Sequence, residues 1–225
     1  MLYTCTVESG TFKLLERLAS EPVLSGFHLA GGTALALRLG HRKSVDIDLF
    51  STANFDLQVV QSRLEQHYGY ENTFRASKTL RGRIHDVKVD ILAHEYPLVN
   101  PIVRDLQTGI HMYSIADIAA MKLNAIAHNG TRVKDFIDIA ALSTKMSFID
   151  MLTAYTKKYP RSNVIIPMKA VTYYADIDYN EKVDLIGATY KWGNIEKRIG
   201  DMVSKPNRIF LQMPFEATLG KGCRR

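Results

Sequence analysis

The strict alternation at residues 45–50 limits what this chain can fold into more than any other stretch. In Val45-Asp46-Ile47-Asp48-Leu49-Phe50, apolar and acidic side chains take turns. That is the two-residue period of a strand with one face in a core and the other outside it. Two carboxylates on one strand face repel, so one tends to stay protonated unless a cation neutralises the pair. The preceding residues supply a complement. A short apolar strand over 27–30 runs into Gly31-Gly32, and a helical pattern follows over 33–39, closed by Gly40. Glycines without a Cβ let anion oxygens approach the backbone, and a helix opening at Thr33 aims its free N–H groups at the same anion. Hard cations such as Mg²⁺ take oxygen ligands and are often completed by substrate phosphates. A glycine pair alone is usually a turn, and an Asp-x-Asp alone is usually a solvated strand edge. The two in this order imply a phosphoryl-transfer site.

The rest of the first half reads as alternating helices and strands. A helix is expected over 11–20, ending before Pro22, and another over 56–68, with Gly69 closing it. Strand-like runs at 72–80 and 83–92 suggest a hairpin turning at Arg81-Gly82. In the second run Val87, Val89 and Ile91 face one way, while Lys88 and Asp90 face the other. Asp90 is therefore a candidate third carboxylate for a two-metal site, or else a surface aspartate on an edge strand.

From Ser114 the pattern becomes helical. Ser114 is an N-cap candidate for a helix over 115–128, with Asp117, Asn124 and His128 as its polar stripe. Lys122 lies away from that stripe among apolar neighbours, where a lysine either snorkels to the rim or serves a buried anion. After an Asn129-Gly130 turn, Thr131 is placed to cap a helix over 132–145. Asp135 and Asp138 share one of its faces, and the ordinary fate of such charges is a solvated ion pair. Further helices are expected over 148–159, 164–174 and 188–203. Residues 205–225 have no periodicity and are expected to be poorly ordered.

Gly31-Gly32-Thr33 followed by Asp46-Ile47-Asp48 resembles the signature of the polymerase β-type nucleotidyltransferases. The fuller string GGTALAL…GHRKSVDIDLF is similar to the AbiEii-type abortive-infection toxin branch, as are Lys122-Leu-Asn-Ala-Ile-Ala and Arg132-Val-Lys-Asp-Phe-Ile-Asp-Ile downstream. The resemblance implies an α/β (α+β) fold with a mixed sheet flanked by helices, followed by a helical bundle. The division expected is a catalytic core over 1–113, a helical domain over 114–204 and a tail over 205–225. It implies Asp46, Asp48, Lys122 and Asp135 as catalytic residues, and Gly31, Gly32, Thr33, Arg42, Ser44 and Lys122 as nucleotide contacts. Asp46, Asp48 and Asp90 would be the metal ligands, holding Mg²⁺ or Mn²⁺ against an NTP. The acceptor hydroxyl could belong to a tRNA 3′ end or other RNA, to a protein side chain, or to a small molecule such as an aminoglycoside. A toxin partnered by an antitoxin is implied. A non-catalytic nucleotide-binding module is the alternative from another class.

Composition sets outer bounds. At 225 residues the chain suits one generous domain or two small ones. No apolar run is long enough to span a bilayer, and MLYTCTVESG lacks a signal-peptide pattern. Cys5 and Cys223, at opposite ends, argue against a disulfide framework and a thiolate metal site, so a cytoplasmic setting is expected. Residues 1–150 hold 16 Lys and Arg against 16 Asp and Glu, and residues 151–225 hold 13 against 7. The net charge of +6 therefore lies in the last third. It is either a nucleic-acid footprint or a solvated lysine-rich surface.

Overall fold

The structure, a computed structural model, describes residues 1–218; Cys223 and the basic end of the chain lie outside the described residues. Helix α1 (Ser9–Ala19) buries Leu14, Leu15 and Leu18. Strand β1 (His28–Leu29) leads into α2 (Gly31–Leu39), which starts at the glycines rather than at Thr33. Nearly every side chain of α2 from Thr33 to Leu39 is buried, as expected of a helix that is apolar all round. Strand β2 (Ile47–Ser51) follows, then α3 (Leu57–Tyr68), whose N-cap Asp56 accepts from the amides of Gln58 and Val59. Strands β3 (Tyr70–Ala76), β4 (Thr79–Ile84) and β5 (Val87–Ala93) form an antiparallel meander, and β6 (Val103–Arg104) and β7 (His111–Met112) complete the sheet.

Among the described residues the main sheet has seven strands in the order β3-β4-β5-β2-β1-β7-β6. It is mixed: β2 lies parallel to β5 and antiparallel to β1, while β1 and β7 are parallel. The β2–β5 register sets Asp48 directly beside Asp90, so neighbouring strands present carboxylates on one face. The expected turn at Arg81-Gly82 is wrong. Both residues lie within β4, and the chain reverses at 77–78 and 85–86 instead. Gly82 belongs in the strand because the ring of buried Tyr70 lies across it; a Cβ there would come within 2.6 Å of that ring. A strand glycine here marks a close approach, not a reversal.

The helical half packs against α2. Helices α4 (Ile115–His128) and α5 (Val133–Leu142) contact α2 directly, α6 (Phe148–Lys158) packs on α4, and α7 (Ile165–Ala170) follows. Strand β8 (Ala188–Thr189) precedes α8 (Trp192–Ser204), which packs on α5, and β9 (Glu216–Ala217) pairs with β8. Several expected bounds were too generous: α5 stops at Leu142 and α7 at Ala170. Asp117, expected on a polar stripe, is fully buried. Its carboxylate accepts from Lys158 Nζ at 2.8 Å, Ser114 Oγ at 2.6 Å and the Val99 amide at 2.9 Å. Burial of that pair is tolerable because each charged group is met by hydrogen bonds.

Residues 205–218, expected to be loose, are tied down. Phe210 is buried, its amide donates to the Ser143 carbonyl at 2.9 Å, and Arg198 and Arg208 lie over its ring at 4.2 and 4.8 Å. The lack of periodicity reported a non-repeating backbone, not a lack of contacts. The expectation for 219–225 lies outside the described residues.

Candidate active site

The site grows from the junction of β1, α2 and β2. The Ala30 amide donates to the Asp48 carbonyl at 2.9 Å, which clamps the glycine bend against the acidic strand. Gly31 has φ +66°, the left-handed region that disfavours side chains. Any Cβ at Gly31 would run into the Asp48 carboxyl. Gly32 faces Arg42, whose Nη2 would lie 2.5 Å from an added Cβ. The Thr33 hydroxyl bonds to Ser44 Oγ at 2.8 Å and to the Asp46 carbonyl, joining the start of α2 to the loop before β2. Above this platform lies a cavity of about 620 Å³. Its size falls within the range of nucleotide-scale pockets.

The structure brings most of the expected residues into that one cavity. Gly31, Gly32, Arg42, Ser44, Asp46, Asp48, Lys122 and Asp135 all line it. Thr33 does not; it is buried and acts by holding Ser44 and the Asp46 backbone. Asp90 lies beneath the lining, beside Asp48 in the sheet, with Lys88 Nζ at 2.9 Å and Arg81 Nε at 3.7 Å from its Oδ2. Its other oxygen, Oδ1, is buried and has no hydrogen-bond partner among the described residues.

The electrostatics divide the site in two. Burial, then the nearby carboxylates of Asp90 and Asp46, push Asp48 up to about 6; Lys88 and Lys122 only partly oppose this. Across the cavity, Asp138 is also buried, yet its carboxyl is held well below the ordinary range. Burial alone would raise it, but Arg42 and Lys122 outweigh that. Arg42 forks onto it through Nε at 2.7 Å and Nη2 at 2.8 Å, His41 Nε2 lies at 2.8 Å and Lys122 Nζ at 2.7 Å. Lys122 also donates to Asp135 Oδ1 at 2.5 Å. Burial would lower Lys122; Asp138 and Asp135 outweigh it and hold the ammonium above its usual value.

Arg42 and Lys122 therefore reach the cavity already committed to carboxylates. Sequence reasoning left Asp138 without a role, yet it joins α2's following loop, α4 and α5. One signal was available: Asp138 is flanked on both sides by the apolar runs Phe136-Ile137 and Ile139–Leu142, where a charge implies a buried partner. Phe50, His94 and Tyr159 form an aromatic side of the same cavity. Phe50 and His94 stack with centroids 5.6 Å apart, and the Tyr159 hydroxyl lies 3.3 Å from His94 Nε2. Burial, with help from Lys158, pushes His94 down to about 4, so its ring is neutral at pH 7. Lys182 and Asp184, from the connection between α7 and β8, also line the cavity. No local pattern signals them, because their place depends on long-range pairing.

Whether the carboxylates suit a divalent cation can be tested on the structure itself. Among the described residues, no three acidic, imidazole or thiolate groups form a ready-made metal cluster. Asp46, Asp48 and Asp90 are thus not a preassembled three-ligand set, and Lys88 and Arg81 attend Asp90. The donors nevertheless fit: hard carboxylate oxygens, a raised Asp48 titration and an unpartnered Asp90 oxygen all mark unmet negative charge.

Comparison with known proteins agrees with this geometry. A protein from H. pylori described as a candidate nucleotidyltransferase superposes with a TM-score of 0.54 at 17% identity, covering 89% of this chain and 96% of that one. The antibiotic-resistance factor ANT(2″)-Ia superposes at 0.53 with 14% identity, covering 67% of this chain and 91% of that one. These likenesses show a shared fold, a mixed sheet flanked by helices. An uncharacterized protein of Aquifex aeolicus (strain VF5) is 31% identical over 166 residues, 72% of this chain and 80% of that protein. No helix among the described residues is long and apolar enough to cross a membrane. The family model described as nucleotidyl transferase AbiEii toxin, type IV TA system, matches residues 13–186, and the chain belongs to that family.

Proposed function

We propose that this protein transfers a nucleoside monophosphate from an NTP to a hydroxyl acceptor, and that it acts as the toxin of a toxin–antitoxin pair in the cytoplasm. The observation that carries the transfer reading is the pairing, in one cavity, of a glycine bend at a helix start and two carboxylates that form no ion pair among the described residues. In the reaction the acceptor oxygen forms a bond to the α-phosphorus while the bond to pyrophosphate breaks. The attacking and leaving oxygens stand roughly in line.

Gly31 and Gly32 admit the phosphates to the backbone, and the first amides of α2 face them. Asp46 and Asp48 would hold Mg²⁺ or Mn²⁺, with Asp90 behind Asp48. Such an ion supplies charge neutralisation for the triphosphate and a lowered pKa for the acceptor hydroxyl. Thr33 fixes the Asp46 backbone, so that carboxylate is presented without reorganisation. Lys122 keeps a positive charge on the cavity wall, steadied by Asp135 and Asp138. Family membership supports an antitoxin partner, and the basic last third suits an RNA acceptor such as a tRNA 3′ end.

The decisive experiment incubates the purified protein with each labelled NTP, total RNA and Mg²⁺. Nuclease-sensitive label in RNA is the expected product, absent with Asp46→Ala and Asp48→Ala. Protease-sensitive label would move the acceptor to protein. Undiminished labelling by both variants would refute the assignment of the acids.

A further inference from the structure

Seven cationic side chains line the cavity, and five of them already face carboxylates. Arg42 is forked onto Asp138, and Lys122 lies between Asp135 and Asp138. Lys88 is 2.9 Å from Asp90, Lys134 is 3.1 Å from Glu181, and Lys43 is 3.5 Å from Asp184. Among the described residues, Arg132 and Lys182 alone of the seven have no acidic partner. The charges of the cavity that form no ion pair among the described residues are therefore two carboxylates, Asp46 and Asp48, and two cations.

The position of Lys182 is built, although it lies outside regular structure. It belongs to the connection between α7 and β8, which is stitched to both walls of the cavity. On one side the Asp178 amide donates to the Thr131 carbonyl at 2.8 Å, and Glu181 pairs with Lys134 on α5. On the other, the Lys43 amide donates to the Asp184 carbonyl at 2.8 Å and the Ile186 amide to the His41 carbonyl at 3.1 Å. Lys182 sits between these two attachments, so the connection carries it across the opening. Arg132, the N-cap residue of α5, stands at the first attachment.

We propose that Lys182 and Arg132 form the clamp for the terminal phosphates of the incoming nucleotide and make the site select triphosphates over monophosphates. This deepens the nucleotidyl-transfer reading and rests on it. A divalent ion on Asp46 and Asp48 offsets charge near the reacting phosphorus, but the far phosphates still carry charge that needs cations. The cations named from sequence as nucleotide contacts, Arg42 and Lys122, are already paired with Asp138 and Asp135. The free cations are the ones the connection and the start of α5 bring in. A monophosphate has no phosphate to reach them.

Binding of inorganic tripolyphosphate, a non-hydrolysable NTP and the matching NMP to the full chain, followed by calorimetry, tests the clamp. Lys182→Met should raise the Kd for tripolyphosphate and the NTP about tenfold or more, the loss expected for one charged hydrogen bond. NMP affinity should stay unchanged, and Lys182→Arg should recover most of the loss. Arg132→Met should act in the same direction, with circular dichroism confirming that both variants keep the fold. Wild-type affinity for tripolyphosphate in Lys182→Met, or an equal loss for NMP and NTP, overturns the clamp and leaves the transfer reading standing. A wild-type protein that binds neither NTP nor tripolyphosphate overturns both.

Discussion

Asp48 lines the cavity and Asp138 lies behind its wall, under Arg42 and Lys122; both carboxylates are largely buried, and their environments push them in opposite directions. Asp138 meets an arginine fork, a lysine and a histidine, and is held well below its ordinary range. Asp48 meets burial and two more acids, and is pushed up to about 6. The lesson is that burial alone does not decide what a carboxylate is for; the sign of its neighbours does. Asp138 is saturated and stabilises the junction of α4, α5 and the loop after α2. Asp48 is left with unmet negative charge, which suits the ligand role proposed for it.

Exchanging the two acids for their amides should separate these roles most sharply. Asp48→Asn should lose about a thousandfold or more in transfer rate. It should unfold no more easily than wild type in urea, because removing the charge relieves a strain of up to about 3 kcal/mol at neutral pH. Asp138→Asn should do the reverse in stability, costing about 3–5 kcal/mol, since Arg42 and Lys122 are left buried without their shared carboxylate. An Asp48→Asn protein that unfolds as readily as Asp138→Asn would erase the distinction.

The pH dependence sharpens the same comparison. Asp48 titrates at about 6 when folded and near 3.8 when unfolded, so the folded chain holds the extra proton between those values. Its contribution to stability therefore falls as pH rises through that window and stays low above it. Asp138 runs the other way: its contribution is full above 3.8 and is lost as pH drops toward its lower folded value. Because a bound divalent ion competes with the Asp48 proton, apparent Mg²⁺ affinity should weaken about tenfold per pH unit below about 6. Thermal shifts with and without Mg²⁺ at stepped pH measure this, and Asp48→Asn should flatten the slope.

A smaller effect is expected at the bend that touches Asp48. Gly31→Ala should cost about 1–3 kcal/mol through its positive φ and contact with the carboxyl, and should lower activity along with stability. Smallest of all, Thr33→Val should cost about 1 kcal/mol by removing the hydroxyl that bonds Ser44 and the Asp46 carbonyl. Transfer should fall with it if Asp46 depends on that anchor, and kcat should move more than the NTP KM.

Local pattern made one part of the site readable. Asp46 and Asp48 alternate with aliphatics, Gly31 and Gly32 precede a helix, and all four lie within 18 residues of one another, so short-range geometry had to bring them together. Ser114 was equally legible as a cap, because capping is a local hydrogen bond. Gly82 was misread for the opposite reason: a glycine marks either a reversal or a close neighbour, and the neighbour, Tyr70, comes from the adjacent strand. The contacts of 205–218 were invisible because irregular backbone satisfied by Ser143 and α8 leaves no period in sequence.

By itself, then, the sequence determined an acidic strand, a glycine bend and a family of α/β proteins, since strand alternation and helix entry depend on residues a few positions apart. Only the tertiary structure decided which charges are free. It set Asp48 beside Asp90 across a parallel strand pair, matched Arg42 and Lys122 to Asp138, and brought Lys182 to the cavity from the connection after α7. Charge is neutralised by whatever is near in space, and nearness between residues 42, 122, 138 and 182 is a property of packing that no stretch of sequence contains.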